Sequence, residues 1–218
     1  MRTVRLSRDR ANRVLAVLRE LRQGGAVICP SDTCYIFAAD GLNTDAVRRV
    51  WELKGPRRRG PIHVVVSDLE MAERLVYLDE PALKLLTEPS LAPVTVVLPK
   101  KPCVPDDLTG GTGSLGVRLP RCQLLKDLAW SLGSPLTATS ANPSGGQTPY
   151  SLDEVVAQVS PSRLPRMAID SGPLPAGLIS TVVDLTVRPP RLIREGSTPF
   201  DLIVDMVVAT NTVREKTS

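Results

Sequence analysis

Residues 14–35 read VLAVLRELRQGGAVICPSDTCY and predict, in order, a helix, a strand and a polar loop. Apolar residues recur at helical spacing from Val14 to Leu21, and the pair Gly24-Gly25 ends the run. The short apolar segment AVIC at 26–29 then predicts a strand that stops at Pro30. A helix that leads directly into an apolar strand is typical of α/β proteins.

The same alternation continues on both sides of this stretch. Ser7 or Asp9 is expected to cap the first helix, and Asn43 or Thr44 begins the second. Runs rich in β-branched residues predict strands at 62–66, 94–98, 115–119, 135–139, 167–170, 180–185 and 191–194. Helical patterns occur around 71–75, 82–86, 124–132, 152–159 and 200–209. We therefore expect the α/β class, with a twisted, largely mixed or parallel sheet flanked by helices.

Length and composition limit the architecture. The 218 residues favour one domain at 1–210, followed by a tail at 211–218 that we expect to be disordered. The mean hydropathy is +0.01, and no apolar run approaches the roughly 20 residues that span a bilayer, so no membrane span is expected. The basic N-terminus lacks the apolar segment of a signal peptide, and we expect a cytoplasmic protein.

The net charge and the cysteine and histidine residues limit which partners and metal sites are expected. A net charge of +4 favours anionic partners such as nucleotides or RNA. The four cysteines form no C-x-x-C pair, and the single histidine, His63, is distant from all of them in sequence, so neither a disulfide nor a Cys/His metal site is expected. His63 falls in an apolar strand pattern, and we expect a core or cleft-edge histidine rather than a general base.

Two polar loops are candidates for ligand binding. P-S-D-T-C-Y at 30–35 places hydroxyl groups and a carboxylate at a strand end, where open α/β sheets bind ligands. The alternative is that Ser31 or Asp32 only organises a turn. T-S-A-N-P-S-G-G at 139–146 has small side chains, and its free N–H groups can cradle phosphate oxygens, although the P-loop spacing is absent. An ordinary polar loop is the competing interpretation.

Three cations lie on or beside predicted strands: Lys54, Arg118 and Arg194. Arg118 alternates with Val117 and Leu119, so it lines a cleft if those two are core residues. Snorkelling of Arg118 to bulk water is the alternative. Unpaired cations that converge on a cleft would suit a triphosphate and a carboxylate.

Seven segments between about Gly24 and Gly196 resemble, in order, the YrdC family of threonylcarbamoyl-AMP synthases. They are P-S-D-T-C-Y, W-E-L-K-G, A-P-V-T-V-V-L, L-G-V-R-L-P, P-L-T-A-T-S-A-N-P-S-G, S-T-V-V-D and L-I-R-E-G. An ordered series of this kind is difficult to obtain by chance. The resemblance implies a twisted α/β sheet with a basic concave face, in the short, single-domain form of the family.

The resemblance also implies an activity. Such enzymes form threonylcarbamoyl-AMP and pyrophosphate from ATP, L-threonine and bicarbonate, and Mg²⁺ accompanies the nucleotide. The product serves the threonylcarbamoyladenosine modification of tRNA, so tRNA and the downstream tRNA-modifying transferase complex are expected partners. Thr33, Arg118 and Ser180 would hold L-threonine, with Arg118 at its carboxylate. The ATP contacts would be Lys54, Ser114, Ser140, Asn142, Thr148 and Arg194.

One departure from the family pattern affects the catalytic prediction. The usual Lys-x-Arg is Lys54-Gly55-Pro56 here, and the nearest guanidinium is that of Arg57. We expect Lys54 and Arg57 to be the catalytic cations, because Arg57 can reach back past Pro56, whose fixed φ limits the course of the loop. In a pyrophosphate-release assay, Arg57→Ala is expected to lower catalytic efficiency about ten- to a hundredfold. Arg58→Ala and Arg59→Ala are each expected to cost far less.

Two other functions remain open from the sequence. A YrdC-like protein that binds RNA or a nucleotide without synthase activity would bind ATP or tRNA and release no pyrophosphate. A carbamoyl-transferring relative would use carbamoyl phosphate. We disfavour it, because no acylphosphatase-like or zinc-finger module is visible in these residues.

Overall fold

The chain forms two β-sheets with helices packed against them, in a computed structural model that describes residues 1–5, 10–55 and 60–215. The elements are, in chain order, β1 (Arg2–Arg5), α1 (Arg10–Arg22), β2 (Val27–Pro30), β3 (Tyr35–Ala38), α2 (Thr44–Lys54), β4 (Val64–Val65), α3 (Leu69–Leu75), α4 (Glu80–Thr87), β5 (Val94–Pro99), α5 (Asp106–Thr109), β6 (Ser114–Arg118), α6 (Gln123–Leu132), β7 (Leu136–Thr137), β8 (Thr139–Ser140), α7 (Leu152–Gln158), β9 (Met167–Asp170), β10 (Thr181–Asp184), β11 (Arg191–Arg194) and α8 (Phe200–Glu215).

Both sheets mix parallel and antiparallel pairs. The first sheet has the strand order β1-β9-β2-β3-β8, and the second has the order β11-β10-β5-β6-β4-β7. A bridge between Asp40, just after β3, and Leu136 of β7 links the strand regions of the two sheets. Segments at 30–35 and 139–142 from the first sheet are therefore brought close to strand ends of the second.

Local sequence explains where the helices begin. Asn43 caps α2, because its Oδ1 accepts hydrogen bonds from the backbone N–H groups of Asp45 at 3.0 Å and Ala46 at 3.1 Å. Asp68, Asp79 and Ser151 cap three further helices, α3, α4 and α7, in the same way. The apolar faces of these helices and the inner faces of both sheets form one buried hydrophobic cluster.

The α/β class predicted from the sequence is confirmed, with mixed sheets flanked by helices. The strands form two sheets, whereas the sequence predicted one, since hydrophobic patterns do not specify strand partners. Three elements were not predicted: β1, β3 and the short α5. The run predicted at 135–139 is divided between β7 and β8, which belong to different sheets.

The ends of some elements differ from the prediction. The strand predicted at 62–66 is paired only at Val64–Val65. Helix α8 continues to Glu215, so the described part of the predicted tail is helical, and residues 216–218 lie outside the described residues. Ser7 and Asp9, the predicted caps of α1, also lie outside them. Among the described residues, no helix has both the length and the apolar character of a membrane-spanning segment.

Candidate functional site

A polar cavity of about 240 Å³ lies where residues of both sheets meet. Hydroxyl groups, two guanidinium groups and one imidazole line this cavity. Its lining comprises Thr33, Cys34, Ile36, Pro61, Ile62, His63, Val64, Thr95, Arg118, Ala138, Thr139, Ser140, Thr148, Ile179, Ser180 and Arg194. The volume is below the usual range of about 300–1,000 Å³ for drug-sized ligands, so this part of the site suits a small molecule.

Strand register places much of this lining on one face of the second sheet. Val96 of β5 pairs with Val117 of β6, so their neighbours Thr95 and Arg118 lie opposite each other on one face. On the other side of β5, Thr95 pairs with Val182 of β10. Because alternate residues of a strand share a face, Ser180, two residues before Val182, is directed to this same face.

The same strand register also places His63 and Arg194 on this face of the sheet. Val64 of β4 pairs with Val117, so His63 lies beside Gly116, on the same face as Arg118. At the edge strand β11, Arg194 pairs with Val182, and this also places Arg194 on that face. The sheet therefore presents His63, Arg118 and Arg194 together, although they are far apart in the sequence.

Arg118 is held by an acidic partner from the first sheet. Its side chain is buried, and its Nη1 lies 2.9 Å from Asp32 Oδ1 and 3.4 Å from Thr33 Oγ1. The contact with Asp32 is an ion pair without hydrogen-bond alignment, since Oδ1 has no hydrogen-bond donor. Asp32 Oδ2 accepts a hydrogen bond from the backbone N–H of Arg121 at 3.0 Å. Arg118 lines the cavity, as expected if it points into a cleft, and it is paired with Asp32 rather than unpaired.

The polar loop at 30–35 is a tight turn as well as part of the cavity wall. Ser31 Oγ accepts hydrogen bonds from the backbone N–H groups of Thr33 and Cys34, both at 3.1 Å, and donates to Cys34 O at 2.6 Å. It also lies 2.9 Å from Thr33 Oγ1. Ser31 therefore organises the turn and Thr33 lines the cavity, and ligand binding by this loop stays a prediction.

Arg194 and Ser180 form the opposite wall. Arg194 Nη2 donates to Ser180 Oγ and to Ser180 O, each at 2.8 Å, and Thr95 Oγ1 donates to Ser180 Oγ at 3.1 Å. Burial lowers the pKa of Arg194, and the nearby charge of Arg118 lowers it further. Ser180 is therefore a fixed hydroxyl group with two polar neighbours.

Lys54 connects the end of α2 to the second polar loop. Its Nζ donates to Ser140 O at 2.9 Å and to Asn142 Oδ1 at 3.2 Å, and it lies 3.5 Å from Ser140 Oγ. Asn142 Nδ2 in turn donates to Gly146 O at 2.7 Å. Burial lowers the pKa of Lys54 to about 8. Lys54 and Asn142 lie behind the cavity wall and meet it through Ser140.

The cavity brings together most of the residues predicted for the site. Thr148 lies in its lining with Thr33, Arg118, Ser180 and Arg194. Ser114 begins β6, four residues before Arg118, and is outside the lining, so its contact with ATP stays a prediction without support from the cavity. Arg57 lies outside the described residues, and its role also stays a prediction.

Sequence reasoning missed two residues of the site. Asp32 was considered only as one of several polar residues in its loop, and its pairing with Arg118 depends on tertiary structure. His63 lines the cavity, which agrees with the predicted core or cleft-edge position, although the sequence did not predict it as a site residue. Its contact with Gly116, where a Cβ would lie 2.0 Å from His63 Nδ1, depends on strand pairing and leaves no signal in the local sequence.

A second, larger cavity of about 770 Å³ lies elsewhere, beside the end of α1, α2 and residues 162–166. None of the predicted site residues that the structure describes lines it. We place the candidate site in the smaller cavity, because that cavity gathers buried hydroxyl and guanidinium groups. Among the residues that the structure describes, no cluster of three or more His, Cys, Asp or Glu side chains is arranged to hold a metal ion.

Comparison with known proteins gives consistent matches over most of the chain. The Sua5, YciO and YrdC family model, described as telomere recombination, matches residues 19–196. The threonylcarbamoyl-AMP synthase of Pyrococcus abyssi is 34% identical over 188 residues, which are 86% of this chain and 55% of the relative. A putative threonylcarbamoyl-AMP synthase of Methanocaldococcus jannaschii is 32% identical over 196 residues, covering 89% of this chain and 91% of the relative.

A solved structure is similar over nearly the whole fold. The crystal structure of Pyrococcus abyssi Sua5 complexed with L-threonine matches with a TM-score of 0.85 at 32% identity. The match covers 94% of this chain and 59% of that protein. This chain therefore spans little more than half of the Pyrococcus protein and about nine-tenths of the Methanocaldococcus relative.

Proposed function

The chain belongs to the Sua5, YciO and YrdC family, and we propose on that basis that it is a threonylcarbamoyl-AMP synthase. The reaction joins L-threonine, bicarbonate and ATP into threonylcarbamoyl-AMP and releases pyrophosphate and water. The enzyme class is therefore a nucleotidyltransferase. The observation that carries the proposal is the small cavity in which Thr33, Arg118 and Ser180 meet.

The cavity has the groups that an amino acid with a hydroxyl side chain requires. Arg118, oriented by Asp32, meets the carboxylate of threonine, since a guanidinium and a carboxylate form strong, charge-assisted hydrogen bonds. The hydroxyl groups of Thr33 and Ser180 pair with the remaining polar groups of the substrate. The likeness to a Sua5 structure complexed with L-threonine supports this assignment.

ATP is proposed to lie on the side of the cavity formed by residues 139–148. Ser140 and Thr148 line that side, and Lys54 and Asn142 hold Ser140 in place. Arg194 adds a second guanidinium group to the lining of the cavity, beside that of Arg118. In the proposed reaction, a carbamate oxygen of N-carboxylated threonine attacks the α-phosphorus of ATP, and pyrophosphate leaves. The protein contributes by positioning the reactants and by stabilising negative charge, which requires no nucleophilic side chain.

The charges in the site argue for a cation that arrives with the nucleotide. A triphosphate together with a carboxylate and a carbamate carries more negative charge than Lys54, Arg118 and Arg194 supply, and Asp32 already offsets part of the charge of Arg118. We propose that Mg²⁺ accompanies ATP, bound by phosphate oxygens and water, as is usual for this ion. It would add electrostatic stabilisation of the phosphates.

The proposed partners follow from the product. Threonylcarbamoyl-AMP would be used by the transferase complex that modifies tRNA, and both tRNA and that complex remain proposals here. The cytoplasmic location stays a prediction. The proposed reaction requires L-threonine, bicarbonate and ATP, and tRNA is needed only where the product is used.

A pyrophosphate-release assay tests the proposal. We expect release only when ATP, L-threonine and bicarbonate are all present, and mass spectrometry with ¹³C-bicarbonate should find the label in threonylcarbamoyl-AMP. Binding of ATP without pyrophosphate release in any combination would replace the synthase assignment with a nucleotide-binding role.

A further inference from the structure

His63 is packed against a glycine of the neighbouring strand. A Cβ built on Gly116 would lie 2.0 Å from His63 Nδ1 and 2.8 Å from its Cγ, so the imidazole lies directly over the Cα of Gly116. Any larger residue at 116 would displace the ring. The pair therefore fixes the position of the imidazole in the cavity wall.

The two ring nitrogens have different surroundings. Nδ1 is buried and has no hydrogen-bond partner, because it faces the backbone carbon of Gly116. Because Nδ1 lies against Gly116 and His63 borders the cavity, we infer that Nε2 is the nitrogen that a ligand can reach. A proton on Nδ1 would be a buried donor without an acceptor, which is costly. The geometry therefore favours the tautomer that carries its proton on Nε2.

The imidazole is uncharged at neutral pH. Burial, together with the positive charges of Arg194 and Arg118, lowers the pKa of His63 to about 4. Cys34, which also lines the cavity, is neutral as well, because burial raises the pKa of its thiol. Neither group adds a charge to the cavity, whereas both guanidinium groups do.

We propose that His63 is a substrate-binding residue, which donates its Nε2–H to an oxygen of the carboxylate or carbamate group of the amino-acid substrate. This inference rests on the proposed function. A carboxylate-type group has several acceptor sites, so it can accept from a guanidinium and an imidazole together. A role as general base is disfavoured, because taking up a proton would create a third positive charge beside Arg118 and Arg194.

Nuclear magnetic resonance tests the proposal directly, since His63 is the single histidine of the chain. With ¹⁵N-labelled histidine, we expect a neutral ring protonated at Nε2 at pH 7. Adding threonine and bicarbonate without ATP should move the Nε2 signal. A shift with threonine alone identifies the carboxylate as the acceptor, and a shift that also needs bicarbonate identifies the carbamate. A protonated Nδ1, a charged ring at pH 7, or no shift in either mixture would overturn the proposal.

Two variants provide the kinetic test. His63→Leu keeps an apolar side chain but removes the donor, and we expect it to raise KM about ten- to a hundredfold for the substrate that moves the signal. His63→Gln keeps an amide N–H near the position of Nε2, and its KM should stay within about threefold of the original value. Equal KM values in the two variants would refute the donor role.

The outcomes separate this proposal from the synthase assignment. If pyrophosphate is released but the His63 signal does not respond to substrates, only the role of His63 fails. If the signal responds but no pyrophosphate is released, the synthase assignment fails and His63 remains a residue of an amino-acid-binding site.

Discussion

Lys54 is a buried cation whose nearest hydrogen-bond acceptors are all uncharged oxygen atoms, those of Ser140 and Asn142. Among the described residues no carboxylate pairs with it, and these uncharged acceptors only partly replace the water lost around the ammonium group, so burial lowers its pKa to about 8. The charge of Lys54 is therefore available to a phosphate group only below about this pH.

This shift predicts a pH dependence of nucleotide use. We expect kcat/KM for ATP to fall as the pH rises through about 8, because the free enzyme then loses the ammonium charge. Initial rates between pH 7 and 9.5 measure this effect. Lys54→Arg is the control, since a guanidinium stays charged over this range and the fall should disappear. The same fall in that variant would assign it to another group.

The same shift predicts the opposite trend for stability. Lys54 has a lower pKa in the folded chain than the ordinary value of 10.5, so between these two values the unfolded chain binds more protons. The contribution of Lys54 to the free energy of unfolding therefore rises with pH from about 8 to 10.5. Below pH 8 the full cost of burying the charge is present.

Single residues were predictable from the sequence where polarity interrupts an apolar pattern. Arg118 inside LGVRL stands out in this way and lines the cavity, whereas Ser180, which also lines it, was assigned through the family resemblance. Asp32 and His63 gain their importance from partners on other strands, Arg118 and Gly116, and no local pattern shows such a pairing. The missed residues are therefore those defined by tertiary contacts.

At the scale of elements, the close packing of β10 and β11 determines where Arg194 meets Ser180. Gly196 follows β11, and its N–H donates to Thr181 Oγ1 at 3.0 Å. A Cβ on Gly196 would lie 2.4 Å from Ile179 O and 2.5 Å from the backbone carbonyl carbon of Ser180. Backbone atoms cannot move aside cheaply, so the close approach requires glycine.

Gly196→Ala is therefore expected to disturb the wall formed by Arg194 and Ser180. We expect a loss of about 1–3 kcal/mol in the free energy of unfolding, measured with urea, and a rise in KM for threonine. Gly113→Ala is a matched control, because nothing lies within 4 Å of a Cβ at that position. Equal stability and equal KM in the two variants would contradict this account of the strand pair.

The sequence predicted most elements, since hydrophobic periodicity and capping residues are local signals. Asn43 at the start of α2 and the strand at 167–170 are examples. Strand β3 was not predicted, because the polar residues at 31–34, which are typical of a loop, directly precede it. The short paired lengths of β4 and β7, two residues each, depend on their neighbours rather than on their own sequences.

At the scale of the whole molecule, pairing between distant strands creates the site. β2 pairs with β9, Val27 opposite Met167, and β10 pairs with β5, Thr181 opposite Val94. Such partners cannot be derived from periodicity, which explains why one sheet was predicted and two were found. The family resemblance supplied the grouping of Thr33, Arg118 and Ser180 that composition and spacing did not.

The central claim is that this cavity recognises the hydroxyl group of L-threonine. Valine has nearly the same shape but lacks that group, so it would leave the buried hydroxyls of the cavity without a partner. The most direct test is the ratio of kcat/KM for threonine to that for valine, measured by pyrophosphate release with saturating ATP and bicarbonate. We predict a ratio of roughly a thousandfold or more. Equal values for the two amino acids would contradict the account.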